Sequence, residues 1–371
     1  MPMTSSGSKL VSTALAIAAI LGLSACGGSD DGGATASSGS SAATASADRP
    51  AWCGEREITF ALADGFGDNS WRKVTVAEAR DEASKCPSVK EFIYTNGQGD
   101  TQKSISDIQG LTAQGVNALV VFADQGKAVL PAIREAYNAG VVTVPYRVFP
   151  GGEAGKDYDA YIRTDFSELG ELWARWLVRV LDGRGNIAYL GGPPANTQNL
   201  EQYEGMQRVF RDYPDIRFVG QAPYNVTDWD AARTQQVLSA LLAKYPRIDA
   251  VAVDFGFASA VSAFRQARRE IPAVVTEDSN QLSCMYQELK ADNPRFELFT
   301  VESQTWMVRT AVRYAVAKAT GGELPDVNVP QRAFEDSVSG RPNPVTCVET
   351  LPPDSFASSQ LSTEAQAAAL K

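Results

Sequence analysis

This chain of 371 residues contains no histidine, the side chain that most often acts as a general base in catalysis. That absence removes Ser-His-Asp and Cys-His catalysis, imidazole-based zinc sites and the commonest general base. The 44 Asp and Glu residues leave a carboxylate pair of the glycosidase type as the remaining route to hydrolysis. The composition therefore indicates binding rather than catalysis, and no cofactor is expected.

Nucleotide and nucleic-acid binding are also disfavoured. Gly65-Phe66-Gly67 lacks the third glycine of a dinucleotide fingerprint, and no Gly-Lys-Ser/Thr run of the Walker type occurs. The net charge is −10, whereas nucleic-acid affinity depends on Lys and Arg that neutralise phosphates. With 44% hydrophobic and 21% charged residues the composition is globular, and the length favours two domains.

The N-terminal segment has the pattern of an export signal. Lys9 precedes an apolar run from Leu10 to Leu23, which suits a signal-peptide core and is short for a membrane span. The run ends in Leu23-Ser24-Ala25-Cys26, which resembles the bacterial lipobox and predicts cleavage before Cys26 with lipidation of its thiol. We therefore expect a lipoprotein signal peptide at 1–25 and a Gly/Ser/Ala-rich tether at 26–53. An ordinary signal peptide or an uncleaved anchor is the alternative.

The rest of the chain alternates short aliphatic strands with helices. The first half predicts strands at 58–63, 92–94, 118–122 and 141–144 and helices at 71–84, 101–114 and 128–139. The second half predicts strands at 186–190, 218–221, 250–253, 274–276 and 298–301 and helices at 169–181, 201–212, 231–244, 259–269 and 306–320. This alternation predicts parallel sheets covered on both faces, with function at the carboxyl ends of the strands. One doubly wound sheet is possible, but two successive units suit the length better.

Four cysteines other than Cys26 favour disulfides in an exported protein, with three possible connectivities. Cys53 precedes the first strand and Cys86 follows the first helix, so both lie at the same end of neighbouring strands. Cys284 and Cys347 both belong to the second half. The inferred topology therefore predicts the pairs Cys53–Cys86 and Cys284–Cys347, with four buried free thiols as the alternative.

Several segments at strand ends resemble those of the periplasmic sugar-binding proteins of ABC transporters, of the ribose- and galactofuranose-binding type. The resemblance covers roughly 57–322. Its segments are Asp68-Asn69-Ser70-Trp71-Arg72, TQKSISDIQGLTAQGVNALVVF at 101–122, Val144-Pro145-Tyr146-Arg147, Tyr203-Glu204-Gly205-Met206, Asp228-Trp229-Asp230, Glu277-Asp278 and Glu302-Ser303-Gln304. It implies the type 1 periplasmic binding fold, which is α/β with two doubly wound parallel-sheet (Rossmann-like) domains joined by a hinge. The implied lobes are 54–163 with 304–328, and 164–303 with 329–371.

The resemblance also implies a ligand site between the lobes. Aromatic rings would cover the apolar C–H faces of a sugar, while Arg, Asp and Asn would bond its hydroxyls. The implied ligand-binding residues are Asn69, Trp71, Arg72, Tyr146, Arg147, Asn196, Trp229, Phe255, Asp278 and Gln304. Tyr146 and Phe255 stand where the family tends to have a carboxylate and Asn, which favours a less polar or larger ligand. Trp71 and Trp229 could instead be packing residues, and Arg72 a solvated one.

The function implied is that of a solute-binding lipoprotein of an ABC importer, which captures a small polar ligand of the sugar class. Its partners would be that ligand and the permease and ATPase complex. We expect a monomer in the periplasm or at the cell surface, held to the membrane only by the lipid on Cys26, with no nucleic-acid partner. An extracytoplasmic sensor is the alternative, and a carboxylate-based glycoside hydrolase is less favoured.

Overall fold

The first half of the described chain folds into a four-stranded parallel sheet with helices on both faces. The computed structural model describes residues 49–371, so the lipobox, the signal peptide and most of the tether lie outside the described residues. The sheet has the order β2-β1-β3-β4. Its elements are β1 (Ile58–Asp64), α1 (Ser70–Ser84), β2 (Val89–Asn96), α2 (Thr101–Ala113), β3 (Ala118–Phe122), α3 (Leu130–Asn138) and β4 (Val142–Tyr146).

The second half forms a larger sheet of seven strands in the order β11-β10-β9-β8-β5-β6, with β7 paired to β5. All pairs are parallel except that of β10 with β11. Its elements are α4 (Phe166–Val180), β5 (Arg184–Gly191), α5 (Thr197–Phe210), β6 (Asp215–Val219), β7 (Asn225–Val226), α6 (Ala231–Lys244), β8 (Ala250–Val253), α7 (Phe257–Ala267), β9 (Ala273–Glu277), α8 (Asn280–Asp292), β10 (Leu298–Val301) and β11 (Ala333–Asp336). The predicted class, α/β with parallel sheets, is confirmed.

Local sequence explains where these elements begin. The central strands β3 and β8 are aliphatic runs in which every residue is buried, as sheets covered on both faces require. Several helices start after an Asn or Asp whose side chain accepts a hydrogen bond from a backbone N–H of the first turn. Such caps are Asn69, Asp100, Asp165, Asn196 and Asp230.

After β10 the chain returns to the first sheet as α9 (Met307–Thr320). Its apolar residues recur at i, i+3 and i+4 spacing from Val308 to Ala319, and they are buried. On the side of α9 that faces α1, Arg309 bonds Glu78 and lies 2.7 Å from Glu82. This buried charge cluster fixes the returning helix to the first lobe.

The C-terminal segment departs from the expected boundary, which assigned 329–371 to the second lobe. Only its first part lies there, because β11 pairs with β10. Phe356 and Leu361 are buried in the core of the first lobe, and the last helix, α10 (Thr363–Ala369), contacts α1. The apolar side chains of the tail thus draw it back across the hinge to the first lobe.

Both predicted disulfides are confirmed. Cys53 is bonded to Cys86, and Cys284 to Cys347. Sequence patterns missed α8 and the short elements β7, β11 and α10. None of the helices described between residues 49 and 371 is both long and apolar enough to cross a bilayer.

Candidate ligand-binding site

A cleft lies where the carboxyl ends of strands from the two sheets meet. Phe122 ends β3 and Arg147 follows β4, while Asp254 follows β8 and Glu277 ends β9. The cleft and its open mouth contain about 370 Å³ of space without atoms. Its walls are formed by Asn69, Trp71, Arg72, Phe122, Arg147, Gln198, Trp229, Asp254, Phe255 and Glu277.

On the first lobe, Arg72 is held by two carboxylates. Its guanidinium lies 3.2 Å from Oδ1 of Asp64 and 2.6 Å from Oδ1 of Asp124, and it sits 3.6 Å from the centre of the Phe122 ring. Asn69 positions it, because the Asn69 Oδ1 accepts a 2.9 Å hydrogen bond from the backbone N–H of Arg72. Burial raises the pKa of Asp124 to about 7, and the positive charge of Arg72 limits the rise.

Arg147 crosses the cleft. Its Nη2 donates a 2.6 Å hydrogen bond to Oε1 of Glu277 on the second lobe, and its Nη1 lies 3.4 Å from Oε1 of Gln304. Its backbone is left-handed, with φ of 62°, so the side chain leaves the direction of β4. Burial raises the pKa of Glu277 to about 8, while Arg147 opposes the rise. Arg147 and Glu277 thus form a direct hydrogen bond between the lobes.

Trp71 packs beneath both arginines. The guanidinium carbons of Arg72 and Arg147 lie 5.2 and 4.8 Å from its ring centre, within the range of cation–π attraction. Its indole N–H donates a 2.9 Å hydrogen bond to the backbone oxygen of Ser303 in the hinge. Trp71 therefore orients the two cations as well as lining the cleft.

Asp254 is the polar centre of the second-lobe wall. It is 4% exposed, and its Oδ2 accepts hydrogen bonds from Asn199 Nδ2 and, at 3.3 Å, from the Trp229 indole. Its Oδ1 is buried and has no hydrogen-bond partner in residues 49–371. Burial raises the pKa of Asp254, with the bonds from Asn199 and Trp229 opposing that rise.

The position of Trp229 depends on a glycine. A Cβ atom at Gly192 would overlap the Trp229 ring, so only glycine allows the chain after β5 to pass this close. The Trp229 ring also meets Phe66 of the first lobe edge to face, with ring centres 6.1 Å apart. The second aromatic residue of this wall, Phe255, is half-buried.

Six of the ten predicted ligand-binding residues line the cleft, namely Asn69, Trp71, Arg72, Arg147, Trp229 and Phe255. The other four occupy supporting positions. Tyr146 is buried behind Phe122, against which it packs edge to face with ring centres 4.9 Å apart. Gln304 touches Arg147 and donates to the backbone oxygen of Pro330.

The side chains of Asn196 and Asp278, which the resemblance places at the ligand, make contacts within the protein. The Asn196 Oδ1 accepts from the backbone N–H of Gln198 at 3.0 Å and caps α5. Asp278 accepts from Ser303 N at 2.7 Å and from Ser358 N and Oγ at 3.0 and 2.6 Å. It therefore holds the hinge and the tail, and the adjacent Glu277 faces Arg147 instead.

Four cleft residues were missed from the sequence: Phe122, Gln198, Asp254 and Glu277. Phe122, Asp254 and Glu277 stand at or directly after strand ends, so the strand-end rule contained the signal for them. Gln198 lies in the first turn of α5, where no local pattern distinguishes it. Across residues 49–371, no group of three or more Cys, Asp or Glu is arranged to hold a metal ion.

Two parallel α/β lobes with a polar and aromatic cleft between their strand ends define a hinged ligand-binding protein. Residues 60–323 match the family described as "Periplasmic binding protein domain". The chain belongs to this family.

Curated relatives include a xylitol-binding protein of Mycolicibacterium smegmatis, 23% identical over 52% of this chain and 54% of that protein. A D-xylose-binding periplasmic protein of Escherichia coli is 29% identical over 44% of this chain and 48% of that protein. The chain spans about half the length of these relatives. Among solved structures, an ABC transporter solute binding protein from Thermobispora bispora has a TM-score of 0.68 at 21% identity, covering 84% of this chain and 94% of that one.

Proposed function

We propose that this protein is the solute-binding component of an ABC importer and that it closes on a small polyhydroxylated ligand, a sugar or a sugar derivative. The observation that carries the proposal is the convergence of both lobes on one cleft, with the Arg147–Glu277 ion pair across it. The relatives named above for xylitol and D-xylose binding support the ligand class.

The cleft offers the contacts that such a ligand needs. The carboxylates of Asp254 and Glu277 accept hydrogen bonds from hydroxyls, and Gln198 can both donate and accept. Trp229 and Phe255 present rings that would cover C–H faces. These second-lobe groups face Trp71, Arg72 and Arg147 of the first lobe across the cleft. A ligand that touches both walls therefore binds the closed form better than the open form and stabilises closure.

Two experiments test this function. Native mass spectrometry of the purified protein identifies any ligand that co-purifies, and calorimetry with D-xylose, D-ribose, xylitol and myo-inositol measures affinity. Arg147→Ala should weaken binding roughly 10- to 150-fold, because a charge-assisted hydrogen bond is worth about 1.5–3 kcal/mol. The matched control is Arg217→Ala, an exposed arginine on β6. Equal losses of ligand affinity in Arg147→Ala and Arg217→Ala would contradict the proposal. Failure of the wild-type protein to bind any sugar or polyol would contradict it as well.

The importer role requires a transporter response. The liganded protein should stimulate ATP hydrolysis by the reconstituted permease and ATPase complex, and the unliganded protein should not. Ligand binding without such stimulation would favour the sensor role instead.

We also propose that the protein is exported and anchored by a lipid on Cys26, because of the Leu23-Ser24-Ala25-Cys26 sequence. Intact-mass analysis of membrane-extracted protein should show an acylated chain that begins at Cys26. Cys26→Ser should leave the protein without lipid. An unmodified Cys26 in the membrane fraction would contradict the anchor.

A further inference from the structure

On the first-lobe wall of the cleft, an aromatic ring and two carboxyl groups surround a cation that the protein itself supplies. Arg72 lies over the Phe122 ring and contacts Asp64 and Asp124. The side chains of all three residues are no more than 6% exposed. Because the cation is supplied by the protein, this wall needs no charge from a ligand.

The second-lobe wall also has aromatic rings and a carboxyl group, but within residues 49–371 no cation accompanies them. Asp254 stands beside Trp229 and Phe255, and no Lys or Arg described in 49–371 forms an ion pair with it or lies over either ring. Its hydrogen-bond donors, the Asn199 amide and the Trp229 indole, are both neutral. Its Oδ1 has no partner among the described residues although it is buried at the cleft.

Carboxyl groups outnumber guanidinium groups around the cleft. Two guanidinium groups, those of Arg72 and Arg147, face four carboxyl groups, those of Asp64, Asp124, Asp254 and Glu277. Three of the four contact an arginine, and Asp254 contacts none within residues 49–371. A buried carboxylate without a cation is unfavourable, and a neutral hydroxyl would satisfy its hydrogen-bonding capacity without neutralising its charge.

We propose that the ligand carries a positively charged amino group, which binds Asp254 Oδ1 beside the rings of Trp229 and Phe255. The ligand class is therefore a hydroxylated amine, such as an amino sugar or an amino polyol. This inference rests on the proposed function, because it assumes that the cleft binds a ligand with hydroxyl groups. The two rings also favour a positively charged ligand, because a cation is attracted to an aromatic face in a desolvated site.

Matched pairs of compounds test the charge directly. D-Glucose with D-glucosamine, D-galactose with D-galactosamine, and xylitol with 1-amino-1-deoxyxylitol differ by one hydroxyl replaced with an ammonium group. Calorimetry at pH 6.5 should show that an amino member binds roughly 10- to 150-fold tighter than its neutral partner, the range for one charge-assisted hydrogen bond.

Asp254→Asn removes the charge while keeping nearly the same shape, so it should abolish the preference for the amino member of each pair. Glu288→Gln removes one charge from an exposed ion pair on α8 of the same lobe and serves as the control, which should retain the preference. The comparison within the wild-type protein needs no variant, so it decides the question even if Asp254→Asn does not fold.

The outcomes separate this inference from the proposed function. Tighter binding of neutral members, or a preference for amino members that survives in Asp254→Asn, overturns the inference and leaves sugar binding intact. Failure of every compound to bind up to millimolar concentration overturns both.

Discussion

The two walls of the cleft are built from the same residue types but differ in how their charges are satisfied. On the first lobe, Arg72 rests on Phe122 and is bonded to Asp64 and Asp124. On the second lobe, Asp254 is bonded to the neutral donors Asn199 and Trp229. The charged groups of the first wall are therefore paired within the protein. The carboxylate of the second wall would be paired by a cationic group of the ligand.

The difference also separates two kinds of residue that sequence patterns treat alike. The arginines at the cleft already make packing contacts and hydrogen bonds to carboxyl groups within the protein, independently of any ligand. The unpartnered Asp254 Oδ1 has no such structural role in the described residues, so its chemistry is available to a ligand.

Removing the first-lobe cation should have the largest effect. Arg72→Ala would leave two buried carboxylates without their cation, and breaking a buried ion pair in this way costs about 3–5 kcal/mol of folding stability. Thermal and urea unfolding measure the loss. Arg72→Lys should lose less, since it keeps the charge but cannot reach both carboxylates with a forked guanidinium. An Arg72→Ala protein as stable as the wild type would show that the first wall is not held together by this cluster.

The burial of Glu277 beside Arg147 should make stability depend on pH. The unfolded chain releases the Glu277 proton near pH 4, whereas burial holds it in the folded protein to about pH 8. Because the folded state binds this proton more tightly, stability is highest at low pH and falls as pH rises through that window.

Glu277→Gln keeps an acceptor for Arg147 and removes the titration. Between pH 5 and 8 the wild type should lose on the order of 3 kcal/mol more than this variant. Parallel stability curves for the two proteins would mean that Glu277 stays ionised through its contact with Arg147.

Most of the fold could be predicted from the sequence, and about half of the site. Aliphatic runs alternating with amphipathic helices fix a parallel α/β arrangement, because few other patterns bury such strands on both faces. The same pattern brings Arg147 and Phe255 to the cleft, since both follow strands.

What the pattern could not give is which of two neighbouring residues points inward. Glu277 ends β9 and lines the cleft, whereas the carboxylate of Asp278, one residue further on, bonds Ser303 and Ser358. The partner that holds Asp278 is Ser358, which is 80 residues further along the chain. No local feature of the sequence indicates so distant a contact, or the return of the tail to the first lobe.

A smaller effect is expected from the glycine that makes room for Trp229. Gly192→Ala forces the Trp229 ring to move, and overpacking of this kind costs about 1–3 kcal/mol. Ligand affinity should fall as well, because Trp229 lines the second-lobe side of the cleft. The matched control, Gly110→Ala, lies within α2 with open space around it and should stabilise the protein by about 0.5–1 kcal/mol. Unchanged affinity in Gly192→Ala would remove Trp229 from the binding wall.

The smallest effect should come from Asn196, which the structure makes a helix cap. Asn196→Ala should cost about 1 kcal/mol of stability, typical for the loss of an N-cap, and should hardly change ligand affinity. Asp100→Ala, which removes the cap of α2 on the first lobe, is the comparison. A large drop in affinity for Asn196→Ala alone would restore Asn196 as a ligand-binding residue.

The binding cleft can be tested by a crystal structure of the protein with the ligand identified by mass spectrometry. We expect a single ligand between the lobes, with a donor within hydrogen-bond distance of Asp254 Oδ1 and its apolar face against Trp229 or Phe255. A ligand that contacts one lobe only, or that leaves the Asp254 carboxylate untouched, would show that the cleft described above is not the binding site.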